Sequence, residues 1–204
     1  MIFTTAICSS LLLLAPLIIV YAAPAATVPE TVPGLAALGN IASYISTTSA
    51  PADPATTYNE LAEGKCAPFI LLFARGTNGS GNVGEGVAPA LIRELTSLRP
   101  GQFIVQGTNN YPATIPDYLL GGSATGAASM ADDVAMAAQN CKDSKIVMAG
   151  YSQGAQVVHR AAAQISKSLY PFVRAIVLFG DPNHRDPFPG SLNNNVLGFC
   201  HDGC

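Results

Sequence analysis

The chain has 204 residues and a formal net charge of -3, from 10 basic and 13 acidic side chains, which excludes a broadly basic nucleic-acid-binding protein. Apolar residues make up 49% of the chain and charged residues only 11%, against about 25% in typical globular proteins, which excludes disorder driven by charge. We therefore expect the chain to bury a hydrophobic core.

The N-terminus carries an apolar run from Leu11 to Val20, followed by the small residues Ala22 and Ala23. Such a run is too short to cross a hydrocarbon layer of about 30 Å, and the small residues suit cleavage by signal peptidase. This pattern predicts a signal peptide over residues 1–23 and a secreted, extracellular protein that does not attach to a membrane after cleavage. Because no Lys or Arg precedes the run, an uncleaved anchor is the alternative.

Residues 24–65 are rich in Ala, Thr, Ser and Pro and show no long periodic stretch, which indicates a pro-segment or flexible linker. From Cys66 onward, short apolar runs alternate with helical patterns, as is typical of βαβ units around a mostly parallel sheet. The folded domain is therefore predicted to span residues 66–204.

The predicted strands are short apolar runs bounded by Gly, Pro or Asn. They are, in chain order, Phe69–Ala74, Phe103–Gln106, Lys145–Ala149, Val173–Phe179 and Val196–Phe199. Helices with apolar residues at i, i+3 and i+4 are predicted at Val83–Leu98, Ala124–Asn140 and Gln153–Leu169. Ser123 is predicted to cap the second of these helices.

Four cysteines remain once the signal peptide is removed, namely Cys66, Cys141, Cys200 and Cys204. An oxidising compartment favours disulfides among them, and counting alone allows three pairings. A structural zinc site is the weaker interpretation, because Cys200 and Cys204 have no second ligand pair at a suitable spacing.

The segment Gly150-Tyr151-Ser152-Gln153-Gly154 directly follows the third predicted strand and opens the third predicted helix. In such an elbow the central serine adopts a strained backbone conformation, and the flanking glycines let strand and helix approach closely. The helix N-terminus, beginning with the Gln153 N–H, then faces the place where an oxyanion would form. The motif predicts Ser152 as a catalytic nucleophile, with a chance match as the alternative.

At this point the chain resembles the cutinase family of secreted serine esterases, over roughly Cys66 to Cys200. The resemblance rests on Cys66 ahead of FILLFARGT at 69–77, VQG at 105–107 followed by YPA at 111–113, and Cys141 eleven residues before Ser152. It implies a three-layer α/β/α sandwich of the α/β-hydrolase type with about five parallel strands. It also implies a disulfide between Cys66 and Cys141, an oxyanion hole formed by Thr77 and Gln153, and no cofactor or metal.

The acid and base of a serine esterase follow the nucleophile in the order Ser, Asp, His. The family carries its acid four residues after the cysteine that matches Cys200, which is the position of Cys204 here, and its histidine about a dozen residues further on. We therefore expect a domain that is incomplete at the C-terminus, through a truncated gene model, with a non-catalytic pseudo-enzyme or a rewired triad as alternatives. The candidate substitutes within the chain are Asp181, His201 and Asp202.

The two other histidines, His159 and His184, are predicted to be neither the catalytic base nor metal ligands. His159 lies seven residues after Ser152 on the same predicted helix, about two turns away, and is predicted to be a surface or packing residue. His184 lies between Asp181 and Asp186, but the prolines around it indicate a turn-rich loop rather than a metal site.

The resemblance implies carboxylic ester substrates, from short acyl esters to cutin, the polyester of the plant cuticle. A deacetylase of the acetylxylan esterase type and a non-catalytic binder are the alternatives, and we expect a monomer that binds no nucleic acid. The apolar segment Ile115–Gly122, which includes Tyr118, Leu119 and Leu120, is predicted to touch the acyl chain. Alternatively, these leucines pack against the helix that begins near Ala124.

Overall fold

The computed structural model of the protein describes residues 55–200. The predicted signal peptide, residues 24–54 of the predicted linker, and His201, Asp202 and Cys204 lie outside the described residues. The strands are β1 Phe69–Ala74, β2 Phe103–Gly107, β3 Lys145–Tyr151, β4 Val173–Phe179 and β5 Val196–Phe199. The α-helices are α1 Ala88–Leu98, α2 Ile115–Leu119, α3 Ala124–Asn140 and α4 Gln153–Gln164, and two 3-10 helices span Lys167–Phe172 and Gly190–Asn195.

All five strands are parallel and form one sheet in the order β2-β1-β3-β4-β5. This confirms the predicted α/β fold class. Because the strands are parallel, their carboxyl ends share one edge, where Ala74 of β1 pairs with Gly150 of β3 and Tyr151 of β3 pairs with Phe179 of β4. Ligands of open α/β sheets bind at this edge.

The core lies on both faces of the sheet, which makes the molecule a three-layer sandwich. On one face, side chains such as Ile70 and Met148 pack against helices α3 and α4. On the other face, Leu71 and Phe73 pack against helix α1. Strands buried on both faces read as continuous apolar runs, and these runs predicted the strands.

Two predicted helix boundaries are wrong. The first helix begins at Ala88 rather than Val83, because Gly84 adopts a φ of +75° and Pro89 is tolerated only in the first helical turn. The third helix ends at Gln164 rather than Leu169, because Ile165 is extended and the chain continues as a 3-10 helix containing Pro171. Helix α2 was not predicted. The Ser123 cap is confirmed, since its Oγ accepts a hydrogen bond from the N–H of Gly126.

Residues 55–65, assigned to the linker from composition, pack against the sheet. Leu61 is buried, and the Glu60 carboxylate accepts a hydrogen bond of 2.8 Å from the backbone N–H of Val105 in β2. The side chain of Asn82 holds both backbone polar groups of Tyr58, each at 2.9 Å. The folded unit therefore begins before Cys66, since long-range polar contacts order a segment that lacks any apolar periodicity.

A disulfide joins Cys66 to Cys141, as the family resemblance implies, and links the entry of β1 to the end of α3 with a Cα–Cα distance of 5.6 Å. Cys204, one of the four cysteines whose pairing the sequence leaves open, lies outside the described residues. Within residues 55–200, no helix is both long enough and apolar enough to span a membrane.

Candidate functional site

Ser152 lies in the sharp turn between strand β3 and helix α4. Its backbone has φ 54° and ψ -119°, a conformation that non-glycine residues rarely adopt and that costs about 1–3 kcal/mol. Its N–H donates a hydrogen bond of 2.9 Å to the carbonyl of Phe179, the last residue of β4. Such strain persists only where the surroundings fix it, and the neighbouring strand does so here.

The two glycines of the motif allow the close approach that creates this turn. A Cβ atom on Gly154 would overlap the carbonyl oxygen of Ala74 at the end of β1, and one on Gly150 would overlap the carbonyl oxygen of Gly154. Helix α4 therefore begins directly against the backbone of the central strands. Any side chain at either position would push the helix, and Ser152 with it, away from the sheet.

The hydroxyl of Ser152 is left available for chemistry. Ser152 occupies the N-cap position of α4, but its side chain makes no capping hydrogen bond, and the residue is partly exposed. The first N–H groups of a helix have no intrahelical partner and carry partial positive charge. The N–H of Gln153, at the first position of α4, is one of these groups.

The side chain of Gln153 ties the start of α4 to two loops. It is fully buried, and its Nε2 donates hydrogen bonds to the hydroxyl of Thr77, at 3.2 Å, and to the carbonyl of Thr114, at 2.6 Å. The structure therefore brings Thr77 and Gln153, both named from the sequence, to one place beside Ser152. Because the Thr77 hydroxyl accepts the bond from Gln153, its own proton is free to point elsewhere.

The loop that carries Thr77 is braced by Arg75 and Tyr111. The Arg75 Nε donates to the carbonyl of Gly79 at 2.8 Å, and the Tyr111 hydroxyl donates to the carbonyl of Arg75 at 3.0 Å. The guanidinium lies 5.0 Å from the centroid of the Tyr111 ring. Burial raises the pKa of Tyr111, so the phenol keeps the proton that this bond requires.

The candidate acid Asp181 is bound to a different histidine from the one expected. It follows β4, is 5% exposed, and its Oδ2 lies 2.9 Å from Nε2 of His159 on α4. Its Oδ1 accepts a hydrogen bond of 2.9 Å from the N–H of Asn183. The His159 ring stacks on Phe188 with centroids 4.1 Å apart. His159 is thus packed, as predicted, but its partner 22 residues away could not be predicted from sequence spacing.

His184 and Asp186 do not form a metal site with Asp181. The Nδ1 of His184 lies 3.3 Å from the backbone carbonyl of Asp181, and the carboxylate of Asp186 accepts a hydrogen bond of 2.6 Å from the side chain of Asn183. Within residues 55–200, no group of three His, Cys, Asp or Glu side chains converges as metal ligands would.

An open cavity of about 540 Å³ borders the His159–Asp181 pair. Its other walls include His184, Phe188 and Phe199. Phe199 is 55% exposed, so this end of the sheet presents apolar surface beside the buried, hydrogen-bonded His159 and Asp181 side chains.

The apolar segment at 115–122 lies next to helix α4, where it contacts Arg160. Thr114 caps α2, and its carbonyl accepts the bond from Gln153 already described. Arg160 of α4 holds the end of the segment by donating to the carbonyl of Gly122 at 2.9 Å. The large apolar side chains are exposed, at 57% for Ile115, 37% for Tyr118, 75% for Leu119 and 77% for Leu120. They do not pack beneath α3, which argues against the structural alternative.

Comparisons with known proteins agree with this geometry. The family model described as Cutinase matches residues 65–203. The cutinase of Blumeria hordei is 39% identical over 203 residues, covering 96% of this chain and 84% of its own length. Cutinase pbc1 of Pyrenopeziza brassicae is 41% identical over 139 residues, covering 68% of each chain. The solved structure of Trichoderma reesei cutinase in complex with a C11Y4 phosphonate inhibitor has a TM-score of 0.64 and 36% identity, and the match covers 74% of this chain and 66% of that one.

Proposed function

The chain belongs to the cutinase family of serine esterases, and we propose that it is a secreted carboxylic ester hydrolase in which Ser152 is the nucleophile. The observation that carries the proposal is the strained turn at Ser152. The residue is partly exposed at the N-terminus of α4, and its hydroxyl makes no capping hydrogen bond. In the proposed reaction Oγ attacks the ester carbonyl carbon, the alcohol leaves, and water then hydrolyses the acyl-enzyme.

We propose that Thr77 and Gln153 form the oxyanion hole. The Gln153 N–H is the donor that follows the nucleophile, and the buried Gln153 side chain fixes the Thr77 hydroxyl as an acceptor at 3.2 Å. This bond directs the hydroxyl proton of Thr77 away from Gln153. The hydroxyl proton and the backbone N–H of Thr77 are then both proposed to donate to the oxyanion. Removal of one such donor typically lowers kcat by about 100- to 1,000-fold, so Thr77→Val should fall in this range with little change in KM.

The acid and base are not assigned, and the candidates within this chain are His201 as the base and Asp181 or Asp202 as the acid. Asp181 follows β4 at the same edge of the sheet as Ser152. However, its two oxygens already accept hydrogen bonds, from His159 and from the N–H of Asn183, which compete with any bond to His201. His201→Ala and Asp202→Ala variants test the assignment, since loss of the true base should reduce kcat as much as loss of Ser152.

The proposed substrates are cutin or other plant-surface esters with an apolar acyl chain. The exposed Ile115, Leu119 and Leu120, beside the start of α4, support this choice over acetyl esters, which need no apolar surface. A Leu119→Ser/Leu120→Ser variant should lose activity on p-nitrophenyl esters of long acids more than on the acetate. Equal losses on both would show that Leu119 and Leu120 do not contact the acyl chain, and the alternative, a deacetylase of the acetylxylan esterase type, would stay open.

A non-catalytic binder on the same fold is the second candidate function. It is favoured by one observation: within residues 55–200, His159 is bound to Asp181, and His184 contacts a backbone carbonyl. Neither histidine is thus available to Ser152 as a base.

Hydrolysis of p-nitrophenyl butyrate by the 204-residue chain decides between the two functions. Turnover that Ser152→Ala reduces to background and that Ser168→Ala, a change at an exposed serine, leaves intact would support the esterase and a base within this chain. Turnover that survives in Ser152→Ala would refute the proposed nucleophile, and its absence from the parent chain would favour the binder.

We further propose that the mature protein is an extracellular monomer whose only partner is its ester substrate. N-terminal sequencing of the protein recovered from culture medium should begin after Ala22 or Ala23. Retention in the membrane fraction with Met1 intact would instead support the anchor.

A further inference from the structure

The three residues Phe179, Gly180 and Asp181, at the end of β4, contact helix α4 at two places and strand β5 at one. The carbonyl of Phe179 accepts from the N–H of Ser152, at 2.9 Å, and the N–H of Gly180 donates to the carbonyl of Phe199 in β5, at 2.8 Å. The carboxylate of Asp181 binds His159 of α4 at 2.9 Å. One short segment therefore holds helix α4 at its start and again two turns later.

Both members of the second attachment are themselves held in place. The side chain of His159 is 12% exposed and that of Asp181 is 5% exposed. The His159 ring stacks on Phe188 with an interplanar angle of 19°, and the second carboxylate oxygen of Asp181 accepts from the N–H of Asn183. Neither His159 nor Asp181 can reorient without losing one of these buried contacts. The pair therefore transmits a movement of helix α4 to the end of β4.

The geometry fixes how helix α4 can move against β4. Ser152 and His159 are seven residues apart, which corresponds to about 10 Å along the helix axis. Rotation or sliding of α4 against β4 would break the bond between His159 and Asp181. Without that bond, the end of β4 would hold α4 by a hydrogen bond only at the elbow, next to the Gln153 N–H.

We propose that His159, through its bond to Asp181, is a positioning residue that locks α4 against the end of β4 and so holds Ser152 and Gln153 in their reactive geometry. The proposal rests on the proposed esterase function for its consequence in catalysis. Its structural part, the local protection of the elbow, does not depend on that function.

Hydrogen exchange of backbone amides tests the structural part. His159→Phe keeps a ring to stack on Phe188 but removes the bond to Asp181, whereas His159→Gln keeps an N–H donor for the carboxylate. We expect His159→Phe to speed exchange of the Ser152 amide by about tenfold or more relative to the amides of β1, and His159→Gln to restore most of the protection. An unchanged Ser152 amide, or equal acceleration at Ser152 and in β1, would overturn the proposal.

Hydrolysis of p-nitrophenyl butyrate tests the catalytic part. His159→Phe should lower kcat by about tenfold with KM changed less than about twofold, while His184→Gln, a histidine on the loop that carries Asp181, should behave as the parent chain. Because the pair acts as a unit, adding Asp181→Asn to His159→Phe should cause no further loss. If Asp181→Asn alone cost far more than His159→Phe, Asp181 would act on another histidine and the proposal would fail.

The two measurements separate the proposals from each other. A parent chain without turnover would refute the proposed function, and exchange at Ser152 would still decide the role of His159. If His159→Phe fails to fold, Asp181→Asn provides the same exchange comparison without altering the ring stack, and an unperturbed Ser152 amide in that variant would overturn the positioning role.

Discussion

Asp133 should make the protein less stable as the pH rises from about 4 to about 7. It lies on helix α3, on the face it shares with the fully buried Met130 and Ala137, and is itself 9% exposed. Burial, with a smaller effect of the neighbouring Asp132 charge, raises the pKa of Asp133 from 3.8 to about 7. The folded chain thus binds this proton more tightly than the unfolded chain does.

The magnitude follows from the difference between the two pKa values. At pH 4 the carboxyl is protonated in the folded chain and half-protonated in the unfolded chain, so its cost is below about 1 kcal/mol. Stability is lost as the pH rises from about 4 to about 7, and at pH 8 the full cost is up to about 4 kcal/mol. Asp133→Asn removes this titration, and the variant should exceed the parent chain in stability at pH 8 by that amount.

Urea unfolding at intervals from pH 4 to pH 8 measures this difference directly. Asp132→Asn is the matched control, because Asp132 is the adjacent residue of the same helix but is exposed, and it should shift stability by less than about 0.5 kcal/mol. A difference between Asp133→Asn and the parent chain that stayed constant across this pH range would refute the reasoning.

Three further variants test the packing, the disulfide and a helix cap of the domain. Gly154→Ala should cost about 3 kcal/mol or more by urea unfolding, because its Cβ would overlap the carbonyl of Ala74; a fully stable variant would show that α4 can move away. Cys66→Ala/Cys141→Ala opens a loop of 75 residues and should lower stability by about 4.5 kcal/mol on the chain-entropy model, so an unchanged melting temperature would contradict it. Ser123→Ala removes the cap of α3 and should cost about 1 kcal/mol in the same assay, whereas no loss would show that this cap does not stabilise the helix.

The sheet could be predicted from sequence because buried parallel strands are continuous apolar runs, and all five runs form strands. Helix ends were harder to place. Pro89 fixed the start of α1 at Ala88, although the apolar periodicity begins earlier, at Val83. Residues 55–65 were missed as part of the fold because Glu60 and its neighbours are ordered by polar contacts with distant residues, which leave no periodic pattern.

In the candidate site, too, features formed by neighbouring residues could be predicted from the sequence, and contacts between distant residues could not. The turn at Ser152 could be predicted because strand, glycines and helix are contiguous in the chain. The bond between His159 and Asp181 could not, because it depends on how β4 places its carboxyl end beside α4. Pairing β3 with β4 sets that geometry, and spacing along the sequence does not contain it.

Covalent labelling with a p-nitrophenyl alkylphosphonate ester tests the central claim, the reactivity of Ser152, most directly. In this reaction Oγ attacks phosphorus and p-nitrophenolate leaves, so each labelled chain releases one equivalent of the coloured product. The account predicts a single adduct, located by mass spectrometry on the peptide containing Ser152 and absent from the Ser152→Ala variant. An adduct on another residue, or release of p-nitrophenolate no faster than in buffer, would contradict it.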